Sequence, residues 1–105
     1  MSDRLTAARS YVASKPTDRF GLYALAMELR KAKEYQESFA AFDTLLQHHP
    51  NYGAGYYHYG MCKRESGDRD GCVAVLRRGL EACEKSGDSH TASEIESALD
   101  ELGAL

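Results

Sequence analysis

Residues 19–30 read RFGLYALAMELR, and residues 53–64, which begin 34 positions later, read GAGYYHYGMCKR. The two segments share a glycine, a tyrosine, a methionine and an arginine at matching positions, and the same offset matches two more residues further along. The identical pairs are Gly21 and Gly55, Tyr23 and Tyr57, Met27 and Met61, Arg30 and Arg64, Ala40 and Ala74, and Leu46 and Leu80. A fixed period of this length indicates a protein built from tandem structural repeats.

Each repeat is predicted to contain two helices. Apolar residues recur at intervals of three and four, as in Leu22, Leu25, Ala26 and Leu29, and this spacing is typical of an amphipathic helix. Proline disfavours helix in the residue before it, so Pro50 predicts a helix end, and Gly103 suits a left-handed cap. We predict six helices and no strands. Their ranges are 3–14, 19–32, 36–48, 53–65, 69–84 and 90–102.

Length and composition bound the class of protein. A chain of 105 residues fits one domain. A net charge of −3 and a pI near 5.8 give no electrostatic reason to expect nucleic acid or an anionic membrane as a partner. No apolar run approaches membrane-spanning length, and no signal-peptide pattern opens the chain, so we expect a cytoplasmic protein. The spacing of Cys62, Cys72 and Cys83 matches no zinc motif. We expect reduced, packed thiols.

With its 34-residue period, its helix pairs and the closing Pro50, the sequence resembles the tetratricopeptide repeat family. At one position the family has a small residue, which lets the paired helices approach each other. This position holds Ala26 in repeat 1 and Gly60 in repeat 2. Further family positions are matched by Ser38 and Cys72, and by Phe42 and Leu76. The sequence departs from the family pattern at two places: Leu45 stands where the second repeat has Gly79, and Glu84 replaces a closing proline. A longer loop is expected behind Glu84.

The resemblance implies an all-α fold of the α-α superhelix class, with antiparallel helix pairs in a right-handed stack. Residues 1–105 would form a single domain. Its parts are a half-repeat helix at 3–14, repeat 1 at 19–52, repeat 2 at 53–86 and a capping helix at 90–102.

The resemblance also implies a function, because family members generally bind a partner segment in a groove lined by the first helix of each repeat. The positions off the packing stripe are Tyr23, Met27, Arg30, Tyr57, Met61 and Arg64. The tyrosine provides apolar area and the methionine provides a surface that adapts its shape. The arginine can donate two hydrogen bonds to a carboxylate. We therefore predict a protein-interaction module whose partner peptide mixes apolar and acidic residues. On the alternative interpretation, the aromatics pack on the neighbouring helix and the arginines are solvated.

Two other functions remain open at this stage. Tyr52, Tyr56, Tyr57 and Tyr59 cluster around one helix and could cover a dimer face, so the protein is expected to be a monomer or a weak homodimer. His58 and Cys62 are four positions apart and could share a metal or a redox role, although no further ligand follows with suitable spacing. No catalytic constellation or phosphate loop is present. We therefore predict no enzyme activity, no metal and no cofactor.

Overall fold

A computed structural model describes residues 3–105, and that part of the chain is all-helical. Each end of the six predicted helices lies within two residues of the observed end, so the prediction of the helices is confirmed. The observed helices are α1 (Asp3–Ser14), α2 (Arg19–Lys31), α3 (Tyr35–His48), α4 (Gly53–Glu65), α5 (Arg69–Ser86) and α6 (Ser89–Glu101).

The chain divides into two compact units, the first ending at His49 and the second beginning at Pro50. Helices α1 to α3 belong to the first unit and helices α4 to α6 to the second. The boundary follows the sequence, since Pro50 cannot donate the backbone hydrogen bond that would continue α3.

The first unit is built around the helix pair α2 and α3. The carboxylate of Asp18 caps α2 by accepting a 2.8 Å hydrogen bond from the backbone N–H of Gly21. Between the two helices, the buried hydroxyl of Ser38 donates to the carbonyl of Ala26 at 2.9 Å. The largest core side chain of this unit, Phe42, is fully buried on α3. The small and large residues matched to the repeat pattern therefore pack as the pattern predicts.

In the second unit α5 packs against both α4 and α6. The core cluster joins the fully buried Cys72 and Leu76 of α5 to Ile95 and Leu99 of α6. Gly79 allows α5 to approach its neighbours, because a Cβ at this position would lie 2.7 Å from the Tyr56 Cβ and 2.8 Å from the Ile95 Cδ1. Gly79 is therefore a close-packing position in this unit, as the family pattern indicates.

The expectation of a longer loop after α5 was wrong. Without a proline near Glu84, α5 continues for 18 residues to Ser86 and ends only at Gly87, whose φ of 73° is left-handed. Asp88 follows immediately and caps α6 by accepting from the backbone N–H of Thr91. The predicted left-handed cap at Gly103 is confirmed by its φ of 68°.

All three cysteines are buried thiols, as predicted. Cys62 and Cys72 are fully buried, and burial raises the pKa of the Cys72 and Cys83 thiols. These side chains act as small core residues. None of the helices within residues 3–105 combines the length and the apolarity needed to cross a membrane.

Candidate functional site

The first set of predicted binding residues forms a strip along α2. Tyr23, Met27 and Arg30 follow each other at spacings of four and three, so they share one face of the helix. All three are half-buried. The Arg30 guanidinium lies with its Nη1 3.9 Å from the Met27 Sδ, which places the cation directly beside the thioether. This strip presents an apolar surface with a positive charge at its C-terminal end.

The second set forms the equivalent strip along α4. Tyr57 and Met61 are half-buried and pack against the core cluster of α5 and α6. Arg64 is exposed, and its Nη1 lies 3.9 Å from an oxygen of Glu101 on α6. Part of the apolar surface of this strip is therefore used in packing on the core cluster of α5 and α6. The remainder stays open to solvent.

Two of the four tyrosines clustered around α4 are part of the core. Tyr56 is 6% exposed, its hydroxyl donates to the carbonyl of Pro50 at 2.7 Å, and the Arg78 guanidinium lies 5.4 Å from its ring centroid. Tyr59 is 4% exposed. Of the four tyrosines considered for a dimer face, only Tyr52 and Tyr57 keep half-exposed surface. The buried pair stabilises the second unit from within and offers almost no area to a second copy.

The pair His58 and Cys62 occupies two different environments. Cys62 is fully buried, whereas His58 is half-buried with its ring edge-on to Tyr57 at 5.1 Å between centroids. Across residues 3–105, no group of three or more His, Cys, Asp or Glu side chains is placed to hold a metal ion.

One exposed aromatic pair was missed by the sequence reasoning. Phe20, at the start of α2, is 71% exposed and meets the Tyr11 ring of α1 edge-on, with 6.2 Å between centroids. The available signal was the repeat itself: Phe20 aligns with Ala54, so a large aromatic replaces a small residue at an equivalent position.

Another polar contact links α1 to α3 in the first unit. The Arg9 guanidinium donates to the Glu37 carboxylate at 2.8 Å, and this contact holds the pKa of Glu37 below its usual range. Both side chains are about half exposed to solvent. The pair therefore contributes little to stability.

Comparison with known proteins places this arrangement among solved helical repeats. No protein-family profile and no curated protein sequence matches the chain. The solution structure of a tetratricopeptide repeat domain protein from Salinibacter ruber is 30% identical, covering 79% of this chain and 84% of that one, with a TM-score of 0.73. A crystal structure described in the same terms, also from Salinibacter ruber, is 28% identical over 84% of this chain and 98% of that one, with the same TM-score.

A third structure, of a protein from Bordetella parapertussis, extends the likeness of fold over nearly the whole sequence. It covers 98% of this chain and 90% of its own, with a TM-score of 0.82. At 18% identity it shows a shared fold alone.

Proposed function

Because this chain belongs to the tetratricopeptide repeat family, we propose that it is a protein-interaction module that binds a segment of a partner protein. The binding residues of the proposal are Tyr23, Met27 and Arg30 on α2 and Tyr57, Met61 and Arg64 on α4. The protein acts by binding and not by catalysis. Its buried thiols fit a reducing compartment, and we place the module in the cytoplasm.

The observation that carries the proposal is the recurrence of the same three side chains one period apart at positions that are not fully buried. A repeated core residue reports only packing. A tyrosine, a methionine and an arginine that recur while keeping exposed surface are suited to a ligand instead, because tyrosine and arginine are enriched among residues that dominate binding energy. Methionine adds a surface that adapts to the partner.

The charge of the strips indicates the chemistry of the partner segment. Arg30 ends the α2 strip and Arg64 ends the α4 strip. Each guanidinium can donate two parallel hydrogen bonds to a carboxylate. The tyrosine and methionine of each strip provide apolar surface. The proposed ligand is therefore a peptide segment that alternates apolar residues with Asp or Glu.

The test begins with a photo-crosslinking amino acid at position 27 or 61, which traps the partner and maps the contacting segment by mass spectrometry. Affinity for that segment, made as a peptide, is then measured for Arg30→Ala, Arg64→Ala and Tyr23→Ala. We expect each arginine variant to lose about 1.5–3 kcal/mol of binding free energy, and the tyrosine variant about 2 kcal/mol. Lys85→Ala, an exposed cation on α5, is the matched control.

The melting temperature of each variant establishes that it is folded before its affinity is compared. Parent-like affinity in all three strip variants would show that the strips are not the binding site.

A further inference from the structure

We propose a second interaction surface on the first unit, where the exposed face of α1 and the adjoining Phe20 bind an amphipathic helix with acidic edges from another protein. This surface, called here the open face, consists of Arg4, Tyr11 and Phe20, all of which are exposed. It lies on α1 and the first turn of α2, and it shares no residue with the α2 strip.

The second unit shows what normally covers such a face. There α4 lies against the side of α5 that carries Cys72, Leu76 and Gly79. A Cβ on Gly60 of α4 would lie 2.6 Å from the Leu76 Cδ2 and 3.6 Å from the Cys72 carbonyl, and Gly79 approaches Tyr56 in the same way. This side of α5 is consequently buried.

Helix α1 is the counterpart of α5 two periods earlier in the sequence. Arg4, Ala8 and Tyr11 lie 68 positions before Cys72, Leu76 and Gly79, which is twice the 34-residue period. As α5 packs on α6, so α1 packs on α2. Within the described part of the first unit, no helix takes the place that α4 has beside α5. Among the described helices of the first unit, α2 alone packs on α1.

Two adjacent aromatic rings lie on this face in contact with solvent. Tyr11 is 36% exposed and Phe20 is 71% exposed, whereas Gly79, the α5 counterpart of Tyr11, is buried. The two rings meet edge to face, which is a favoured arrangement for an aromatic pair. Phe20 could be smaller without any loss to the core, as its repeat partner Ala54 shows. A large exposed aromatic pair of this kind marks an interaction surface.

The charges around the rings determine which helix fits. Arg4 lies seven positions before Tyr11 and Lys15 four positions after it, so the three residues share one stripe that runs along α1 and one residue beyond its end at Ser14. Both cations are exposed, and the Lys15 Nζ lies 5.6 Å from the Tyr11 ring centroid. The stripe has positive charge at both ends and aromatic area between them. Its complement is a helix with an apolar stripe and acidic edges.

A second copy of this chain does not meet that description. Its most acidic helix is α6, which carries four acidic residues and no lysine or arginine; α3 has only Glu37 and Asp43, and Glu37 is paired with Arg9. The apolar side chains of α6, Ile95 and Leu99, are 0% and 1% exposed because they form the core of their own unit. The polar side of α6 has no apolar residue to receive Phe20. The occupant is therefore a helix of a different protein.

The probe for this site is a phage-displayed library of amphipathic helices. Helix α1 has 12 residues and spans about 18 Å, so library members of about 14 residues match its length. Apolar residues are fixed along one stripe, and the flanking positions vary among Glu, Gln and Lys. Selection on the full chain is expected to enrich Glu at the flanks. Enriched peptides are then synthesised and titrated by fluorescence anisotropy.

Phe20→Ala is expected to weaken binding of an enriched peptide about tenfold or more, and Lys15→Glu is expected to shift the selected flanks from Glu to Lys. The matched controls lie in the second unit. Leu105→Ala removes a side chain that is 72% exposed, and Lys85→Glu reverses an exposed cation. Both controls should bind like the parent. Since Phe20 is mostly in water, circular dichroism and the melting temperature should be unchanged in Phe20→Ala.

Three outcomes would overturn the inference: no enrichment above a selection without protein, equal affinity of Phe20→Ala and parent, or a parent dimer in sedimentation that Phe20→Ala dissociates. The last would mean that a second copy fills the open face. Failure here is distinguishable from failure of the proposed function, because Arg30→Ala and Arg64→Ala leave the open face intact and Phe20→Ala leaves both strips intact.

Discussion

Gly60 of α4 faces Leu76 of α5 so closely that a Cβ at position 60 would lie 2.6 Å from the Leu76 Cδ2 and 2.8 Å from its Cγ. These distances are shorter than van der Waals contact between carbon atoms. The approach of the two helices in the second unit therefore depends on the missing side chain. The first unit has Ala26 at the equivalent position, so its helix pair tolerates one methyl group.

We expect Gly60→Leu to destabilise the second unit by about 1–3 kcal/mol or more, because the added side chain overpacks the contact with Leu76. Urea unfolding measures the change in the free energy of unfolding. Ala74→Leu, which places a leucine at an exposed position of α5, is the control and should be nearly neutral. An unchanged unfolding midpoint in Gly60→Leu would mean that position 60 does not face α5.

The buried thiols give a second prediction. Cys62, Cys72 and Cys83 are at most 2% exposed, and burial raises the pKa of Cys72 and Cys83, which reduces the fraction of reactive thiolate. Labelling by an aromatic disulfide reagent should therefore proceed only as fast as the second unit opens, and it should become rapid in urea.

An engineered thiol at the exposed position 93, in Ser93→Cys, provides the comparison for labelling. It should react at once in the native protein. Equally rapid reaction of all the native cysteines would contradict their placement in the core.

Much of the fold could be predicted from the sequence because its determinants are local. The apolar intervals and the repeat offset located the helices to within two residues. The end of α5 was less predictable, since a helix without a proline continues until another signal stops it, and that signal was Gly87. The buried fraction of each strip could also not be predicted from the sequence alone. Tyr57 packs against the core cluster of α5 and α6, and the angle of approach between helices decides how much of its ring stays exposed.

The open face shows a different limit of sequence reasoning. Phe20 is one of several apolar residues in α2, so a hydrophobicity pattern does not distinguish it from the others. Its exposure becomes evident in the folded structure, where 71% of the residue is accessible to solvent. A repeat alignment that flags changes of size, such as Phe20 against Ala54, could have found it.

The cap of α6 predicts a dependence of stability on pH. Hydrogen bonds from the side chain and backbone of Thr91 hold the pKa of Asp88 below its ordinary value. A depressed folded-state pKa means that the charged carboxylate stabilises the fold above the unfolded pKa of about 4, and that this stability is lost as the pH falls through the folded-state pKa.

Asp88→Asn keeps a side-chain acceptor for the cap but removes the charge. We expect its melting temperature to lie below that of the parent at pH 7, and we expect the difference to shrink as the pH is lowered below about 4. Asp43→Asn changes an exposed carboxylate in the middle of α3 and serves as the control. A difference that is constant from pH 7 to pH 3 would show that the charge of Asp88 does not contribute.

The last prediction concerns α6, whose attachment covers part of the α4 strip. Ile95 is fully buried, and its Cδ1 would lie 2.8 Å from a Cβ at Gly79, so it fills the space left by that glycine. Ile95→Ala should cost about 2–5 kcal/mol, since it removes buried apolar atoms and leaves a cavity. Leu105→Ala, which truncates an exposed side chain, should change stability by less than about 0.5 kcal/mol.

The same variant tests how α6 opens. Ile95 belongs to the core cluster that joins α6 to α5 and against which Tyr57 and Met61 pack, so Ile95→Ala should also increase hydrogen exchange of the α6 amides before the rest of the second unit opens. Uniform exchange across α4, α5 and α6 in the variant would instead show that α6 opens only when the whole unit unfolds, and that the surface of Tyr57 beneath it is closed to ligands in the native state.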